Sequence, residues 1–411
     1  MEKLQPSLRF PEFKGEIKRK KLSEVALIGR GKSKHRPRDA EFLYGGKYPF
    51  VQTGDVRNAD LYLTNYTNTY SEAGLKQSKL WNENTLCITI AANIAETTIL
   101  KIKACFPDSI IGLIPNEKDA TVLFIKYQFD KFKLDIQKLS QGVAQANLNQ
   151  EKISNIEFNF PSLPEQQKIA SFLTALDEKL TLLKEKKNKL EQYKKGVMQK
   201  IFSQELRFKD DASTGLSTGT GNDYPEWEEK RLGEIIIESI EKTKSSGQHR
   251  ILSSTAKGLF NQDEYFTRDI ASKDNSGYKI LKINQLVFSP QNLWLGNINV
   301  NINFEIGIVS PSYKIYSFNY QLTNTKYFYY FLKTPKMLFE YEQSSVQGAS
   351  IVRRNLDLDK FLDIHICLPT IKEQSKIANF LTSVDDKIEV VNQQIKNTEE
   401  YKKGLLQGMF C

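Results

Sequence analysis

The sequence has little of what metal or nucleophile chemistry requires. Its 411 residues include three histidines, His35, His249 and His365, and four cysteines, Cys87, Cys105, Cys367 and Cys411, all far apart. Zinc modules and disulfide frameworks need close, patterned spacing, so neither is expected. The lack of a disulfide pattern points to a reducing, cytoplasmic setting. No uncharged apolar run approaches the ~18 residues that a membrane span needs. The first ten residues carry no apolar signal core. There is no Asn-Pro-Pro-Tyr-like motif, no glycine-rich cofactor loop and no carboxylate–lysine cluster of the nuclease kind. A self-contained methyltransferase or nuclease is thus unsupported, and no catalytic or metal-ligating residue is assigned.

One run imitates a nucleotide site. Ala26-Leu27-Ile28-Gly29-Arg30-Gly31-Lys32-Ser33 formally fits a relaxed P-loop. A P-loop must open a helix. Here Pro37 follows within four residues and breaks the expected helix, so nucleotide binding is not expected. The run reads better as the start of a basic loop. Arg30, Lys32, Lys34, Arg36 and Arg38, with His35 among them, are spaced to reach phosphates, and arginine can also reach guanine edges.

The charge distribution agrees. The chain carries a net +9, of which +6 lies in residues 1–160 and +4 in 161–203. Residues 204–368 carry −1 and the remainder is neutral. A basic first half favours a polyanionic partner. In the second half the candidate contacts are Arg250, Lys257, Arg353 and Arg354, in an otherwise balanced region.

An internal repeat organises the chain. Residues 161–202 align without gaps on 369–410, with 18 of 42 positions identical. Glu165, Gln166, Ile169, Ala170, Phe172, Leu173 and Asp177 recur as Glu373, Gln374, Ile377, Ala378, Phe380, Leu381 and Asp385. Tyr193-Lys194-Lys195-Gly196 recurs as Tyr401-Lys402-Lys403-Gly404. Each half also opens alike: Phe10-Pro11-Glu12-Phe13 corresponds to Tyr224-Pro225-Glu226-Trp227. The bodies between opener and tail, roughly 26–140 and 236–346, are unlike each other.

The shared tails read as long helices. Ile169, Leu173, Leu176, Leu180 and Leu183 fall on a 4–3 spacing, as do Ile377, Leu381, Val384, Ile388 and Val391. That spacing marks helices that pair lengthwise. Lys187 and Lys194 interrupt the stripe. About 38 residues give a rod of roughly 55 Å. Each body shows short strand-like runs, such as 85–90 and 285–288, and ends in an aromatic-rich helix, expected over 122–139 and 323–342. Tyr327-Phe328-Tyr329-Tyr330-Phe331 reads as helix core rather than as a base-stacking platform. Residues 205–223 have a linker composition and form the expected boundary between halves.

The run Pro161-Ser162-Leu163-Pro164-Glu165-Gln166-Gln167-Lys168-Ile169-Ala170, with Phe172, Leu173 and Asp177, resembles the signature of specificity subunits of type I restriction–modification enzymes. It occurs twice, and the opener–body–helix order covers nearly the whole chain. The resemblance implies an α+β chain in which two mixed α/β target recognition domains are joined by two long helices pairing as an antiparallel coiled coil, with pseudo-two-fold symmetry. The implied division is 1–160 for the first recognition domain, 161–204 for the first helix, 205–223 for the linker, 224–368 for the second domain and 369–411 for the second helix. Each domain would read one half of an asymmetric, bipartite site in double-stranded DNA. The helices would set the unread spacer and dock two modification subunits, which restriction subunits would join. S-adenosylmethionine, ATP and Mg²⁺ would belong to those partners, with no cofactor here. The competing expectation is a coiled-coil assembly adaptor without a DNA role.

Overall fold

The computed structural model describes residues 5–139, 148–208, 216–218, 225–265, 274–347 and 354–411. The two apolar stripes form helices over Leu163–Phe202 and Ile371–Met409. The chain divides into two compact units, one of residues 1–186 and 391–411, the other of 187–390. Each long helix therefore gives its first part to one unit and its last part to the other. The 205–223 boundary does not coincide with this division.

Inside each unit the helices run antiparallel. In the first, Asp177 meets Lys402 at 2.5 Å and Lys184 meets Glu399 at 3.5 Å. In the second, Lys194 meets Asp385 at 2.6 Å, and Val197 and Ile201 share a core with Ile377 and Leu381. Of the ten stripe residues named above, Ile169, Leu173, Leu180, Ile377, Leu381, Val384 and Val391 are buried, and Leu176, Leu183 and Ile388 are half-buried.

Openers and helix starts form a repeated clasp. Lys18–Lys21 pairs antiparallel with Glu157–Phe160, and Glu228–Arg231 with His365–Leu368. A single helical turn follows each opener strand. Its glutamate, Glu24 or Glu234, accepts a hydrogen bond from the backbone N–H of Lys21 or Arg231. That contact satisfies one of the donors a helix start leaves open. Leu22 and Leu232 are fully buried beneath the turn.

The first body holds a five-stranded sheet in the order Ala26–Arg30, Ile110–Pro115, Leu86–Thr89, Thr97–Leu100, Tyr62–Leu63. All neighbours are antiparallel except the last pair. A four-stranded sheet, built on Tyr44–Phe50, is interleaved with it in sequence. Helix Val122–Lys138 buries Phe124, Ile125, Tyr127 and Phe129 in the main core. The second body centres on a four-stranded antiparallel sheet, Ile236–Glu238, Lys314–Phe318, Leu286–Phe288, Ile298–Val300.

Two expectations need correction. The aromatic helix expected over 323–342 is two helices, Thr325–Phe331 and Pro335–Gln343. Pro335 has no N–H to continue the first, and Thr334, extended before it, caps the second by accepting from Met337 N. The 205–223 segment is not all linker. Leu206–Phe208 pairs with Leu216–Thr218, and Arg207 and Phe208 are buried. Residues 209–215 and 219–223 lie outside the described residues.

Tyr327, Phe328, Tyr330 and Phe331 are buried in the second core, as expected. Burial pushes the phenol of Tyr316 up to about 12, and raises those of Tyr327, Tyr330 and Tyr341 as well. In the unfolded chain each would lose its proton near pH 10, while the folded chain keeps it. Stability is then indifferent to these groups below about pH 10 and falls above it, by about 1.4 kcal/mol per pH unit for each tyrosine until its folded value is reached. Phenolate absorbance should therefore rise together with loss of tertiary circular dichroism. Ionisation of all the tyrosines in a chain that stays folded would contradict the packing of this core.

Candidate nucleic-acid interface

The polar signature residues are the natural first candidates for function, and the structure uses them as framework. Glu165 takes the Arg9 guanidinium through both oxygens, at 2.7 and 2.8 Å, and Glu373 takes Arg207 at 3.1 and 2.7 Å. Gln166 Nε2 donates to the carbonyls of Asp119 and Pro161, and its Oε1 accepts from Thr121 N. Gln374 repeats this with Leu322 O, Pro369 O and Asn324 N. Thr121 and Asn324 are the caps of the aromatic body helices, so each glutamine ties one body helix to one long helix. Asp177 accepts from Tyr127 OH at 2.8 Å and from Lys402; Asp385 accepts from Tyr330 OH at 2.7 Å and from Lys194. All are buried or half-buried and face protein, which leaves any ligand chemistry to the bodies.

In the first body the structure brings the basic loop together as a fixed surface. Ala26–Arg30 is an edge strand of the five-stranded sheet, followed by a loop and not by a helix, so the P-loop imitation ends there. Gln77 Oε1 accepts from the N–H groups of Lys34 and His35, at 2.5 and 3.0 Å. Ser78 Oγ donates to Lys32 O, and Tyr44 OH to Arg38 O, both at 2.8 Å. The five cations divide into two kinds. Arg30 donates to Asp108 O, Arg36 to the carbonyls of Ser33 and His35, and Arg38 pairs with Asp108 at 2.8 Å. These arginines shape the loop. Lys32 and Lys34 are exposed and have no acidic partner within ion-pair distance among the described residues.

Sequence reasoning missed Lys79. Its ammonium sits 3.5 Å over the Trp81 ring. Burial lowers its pKa, and the neighbouring Lys32 lowers it further. Two uncompensated ammonium groups that repel each other favour an anion between them. Lys79 lies more than forty residues from the loop in sequence, with no local pattern to mark it.

The second body is less organised for this purpose. Arg250 and Lys257 are exposed at opposite ends of strand Leu252–Thr255. Arg354 is engaged elsewhere: it lies 4.3 Å over the Trp294 ring and pairs with Glu342 at 3.1 Å. Arg353 lies outside the described residues. Among the described residues no group of three or more His, Cys, Asp or Glu could hold a metal ion, and no helix is long and apolar enough to cross a membrane.

This duplicated frame has relatives. Residues 14–192 and 224–400 each match the model of the type I restriction modification DNA specificity domain. Among curated proteins of Methanocaldococcus jannaschii, the type I restriction enzyme MjaIX specificity subunit is 24% identical over 309 residues, 69% of this chain and 68% of that protein. The MjaVIII specificity subunit is 22% identical over 380 residues, 88% and 84% of the two lengths. A further relative from that organism, 25% identical over 167 residues, is matched over only 37% of its own length. In three dimensions the chain resembles the S subunit of a type I restriction–modification system from M. genitalium, with a TM-score of 0.58 at 15% identity over 99% of both chains. A chain from a structure of complex assembly and conformational transition of the type I R-M system gives 0.55 at 13% identity over 96% of each. With two copies of the domain covering most of its length, this chain belongs to the family of type I restriction–modification specificity subunits.

Proposed function

We propose that this chain reads DNA sequence for a type I restriction–modification complex, and that each body reads one half of an asymmetric, bipartite site in double-stranded DNA. The observation that carries the reading is the pairing of two unlike bodies with one repeated frame. A frame that fixes each body through the same glutamate, glutamine and aspartate contacts presents two different surfaces in equivalent settings. The helices set the unread spacer and dock two modification subunits, with restriction subunits joining that core. A 40-residue helix extends about 60 Å, more than one ~34 Å turn of B-DNA. S-adenosylmethionine, ATP and Mg²⁺ act on the partner subunits, and this chain contributes recognition without catalysis, in the cytoplasm.

Within the first body, Lys32, Lys34 and Lys79 supply salt-dependent attraction to phosphates, and Arg30, Arg36 and Arg38 hold the loop that carries two of them. Arg250 and Lys257 are the corresponding contacts of the second body, which the near-neutral second half makes weaker. Arg353 is a further proposed contact, while Arg354 is held by Glu342 and Trp294.

The test is selection from a random duplex library by the complex of this chain with its modification subunits. A bipartite motif with a fixed gap is expected, and exchanging residues 26–140 for another domain should change one half only. An assembled complex that selects no motif would overturn the reading in favour of an assembly adaptor.

A further inference from the structure

Phe42 stands on the basic loop with its ring in solvent. It is 58% exposed, although it lies in a short turn, Glu41–Leu43, whose next residue is fully engaged. Leu43 is buried with Phe50 and Tyr70 in a small core of its own. The backbone on both sides is pinned: Ser71 Oγ donates to Phe42 O at 2.7 Å, Ser71 N to Leu43 O at 2.8 Å, and Leu43 N to Ala40 O at 3.0 Å. The Phe42 ring lies edge-to-face with His35, with centroids 5.0 Å apart and planes at 83°. His35 is itself held by Gln77, beside Lys34. An apolar ring thus stands out from an anchored backbone beside His35 and the basic loop, whose cations at 32, 34, 36 and 38 outnumber the exposed carboxylates Asp39 and Glu41 next to it.

We propose that Phe42 is a specificity-determining residue that contacts a base edge, most simply a thymine methyl group in the major groove, while the loop's lysines hold the flanking phosphates. The inference rests on the DNA-reading function proposed above. An exposed aromatic ring has apolar surface to bury against a partner, and the partner that the surrounding cations attract is a nucleic acid. Phenylalanine offers a base no hydrogen bond, so what it distinguishes is shape and the methyl group that thymine alone carries in that groove. Its anchored backbone and short side chain leave few torsions to freeze on binding. The corresponding stretch of the second body, 239–253, holds Lys242, Lys244 and Arg250 but no phenylalanine, tyrosine or tryptophan. The contact therefore belongs to one half-site.

The experiment uses the full complex with its modification subunits and a random duplex library. Phe42→Ala should leave the motif of one half intact and relax a single position of the other. Affinity for the original site should fall by about ten- to a hundredfold, the scale of one lost base contact. The slope of log affinity against log salt should stay unchanged, because no phosphate contact is removed. Phe42→Leu, still apolar, should retain most of the preference. An unaltered motif with Phe42→Ala would overturn this proposal and leave the function reading standing, since wild type still selects its site. A uniform loss across all sequences, or a changed salt slope, would also overturn it. Failure of the wild-type complex to select any motif would remove both.

Discussion

Replacing Arg207 by alanine should destabilise the second unit by about 3–5 kcal/mol, the usual cost of stranding one partner of a buried ion pair. Both side chains are nearly inaccessible, at 7% and 2% exposure. Glu373 is the hub. Besides the two-pronged contact with Arg207 it accepts from Phe208 N at 3.3 Å and from Trp227 Nε1 at 3.2 Å. Arg207 in turn donates to Pro225 O and lies against the Trp227 ring. Removing the guanidinium leaves a carboxylate in the interior with only neutral donors. Replacing Arg207 and Glu373 together by methionine should cost much less, since no charge is then left buried. Arg9→Ala should do the same to the first unit with a smaller effect, because the Arg9 side chain is 13% exposed. Urea unfolding measures both, with Trp81 in one unit and Trp227 and Trp294 in the other as local reporters. A loss below 1 kcal/mol for Arg207→Ala would mean that the clasp is not held by this pair.

That clasp also marks where the sequence stopped being readable. The 4–3 stripe announced both helices almost to the residue, because a periodic signal over forty residues survives local exceptions. Glu165, Gln166 and Asp177 were visible as repeated identities, but their partners were not. Arg9 lies 156 residues before Glu165, and Tyr127 fifty before Asp177. Leu8-Arg9-Phe10 and Leu206-Arg207-Phe208 bring their arginines to equivalent glutamates, yet only the second is a strand, and the two runs do not share the offset that relates the helices. The same residues therefore looked like the start of a linker. In the basic loop the charges were legible and their division of labour was not. Only folding places Asp108 beside Arg30 and Arg38, and Lys79 near Lys32. The break before Pro335 was legible in principle, and the aromatic run obscured it.

Lys194, which interrupts the first stripe, and its repeat counterpart Lys402 lead to the other large effect. Lys194 and Lys402 occupy the same position of the repeat, where an apolar residue would pack best. Each reaches an aspartate on the other helix, and that aspartate holds the tyrosine of a body helix. Each ammonium also lies about one ring-width from that tyrosine, 5.0 Å in one unit and 5.3 Å in the other. A polar residue at a seam position costs stability and fixes register and direction. Here it does so twice, and each time it also fixes a body to the helices. Asp177→Ala should therefore destabilise the first unit by about 2–3 kcal/mol, since it strands a largely buried lysine and leaves the Tyr127 hydroxyl with Thr174 alone. Asp385→Ala should cost less, because Asp385 is about twice as exposed, 35% against 18%. Lys402→Leu restores an apolar seam but leaves Asp177 without its cation, so it should also destabilise the first unit, and it should weaken the preference for one helix register. A double-mutant cycle over Asp177 and Lys402 separates these effects: a coupling near zero would show that the aspartate acts through Tyr127 alone. If the register is held as argued, the Lys194→Leu/Lys402→Leu double variant should still fold, less stably than wild type, and select DNA sites with a less uniform gap, a change in spacing with no change in either half-site.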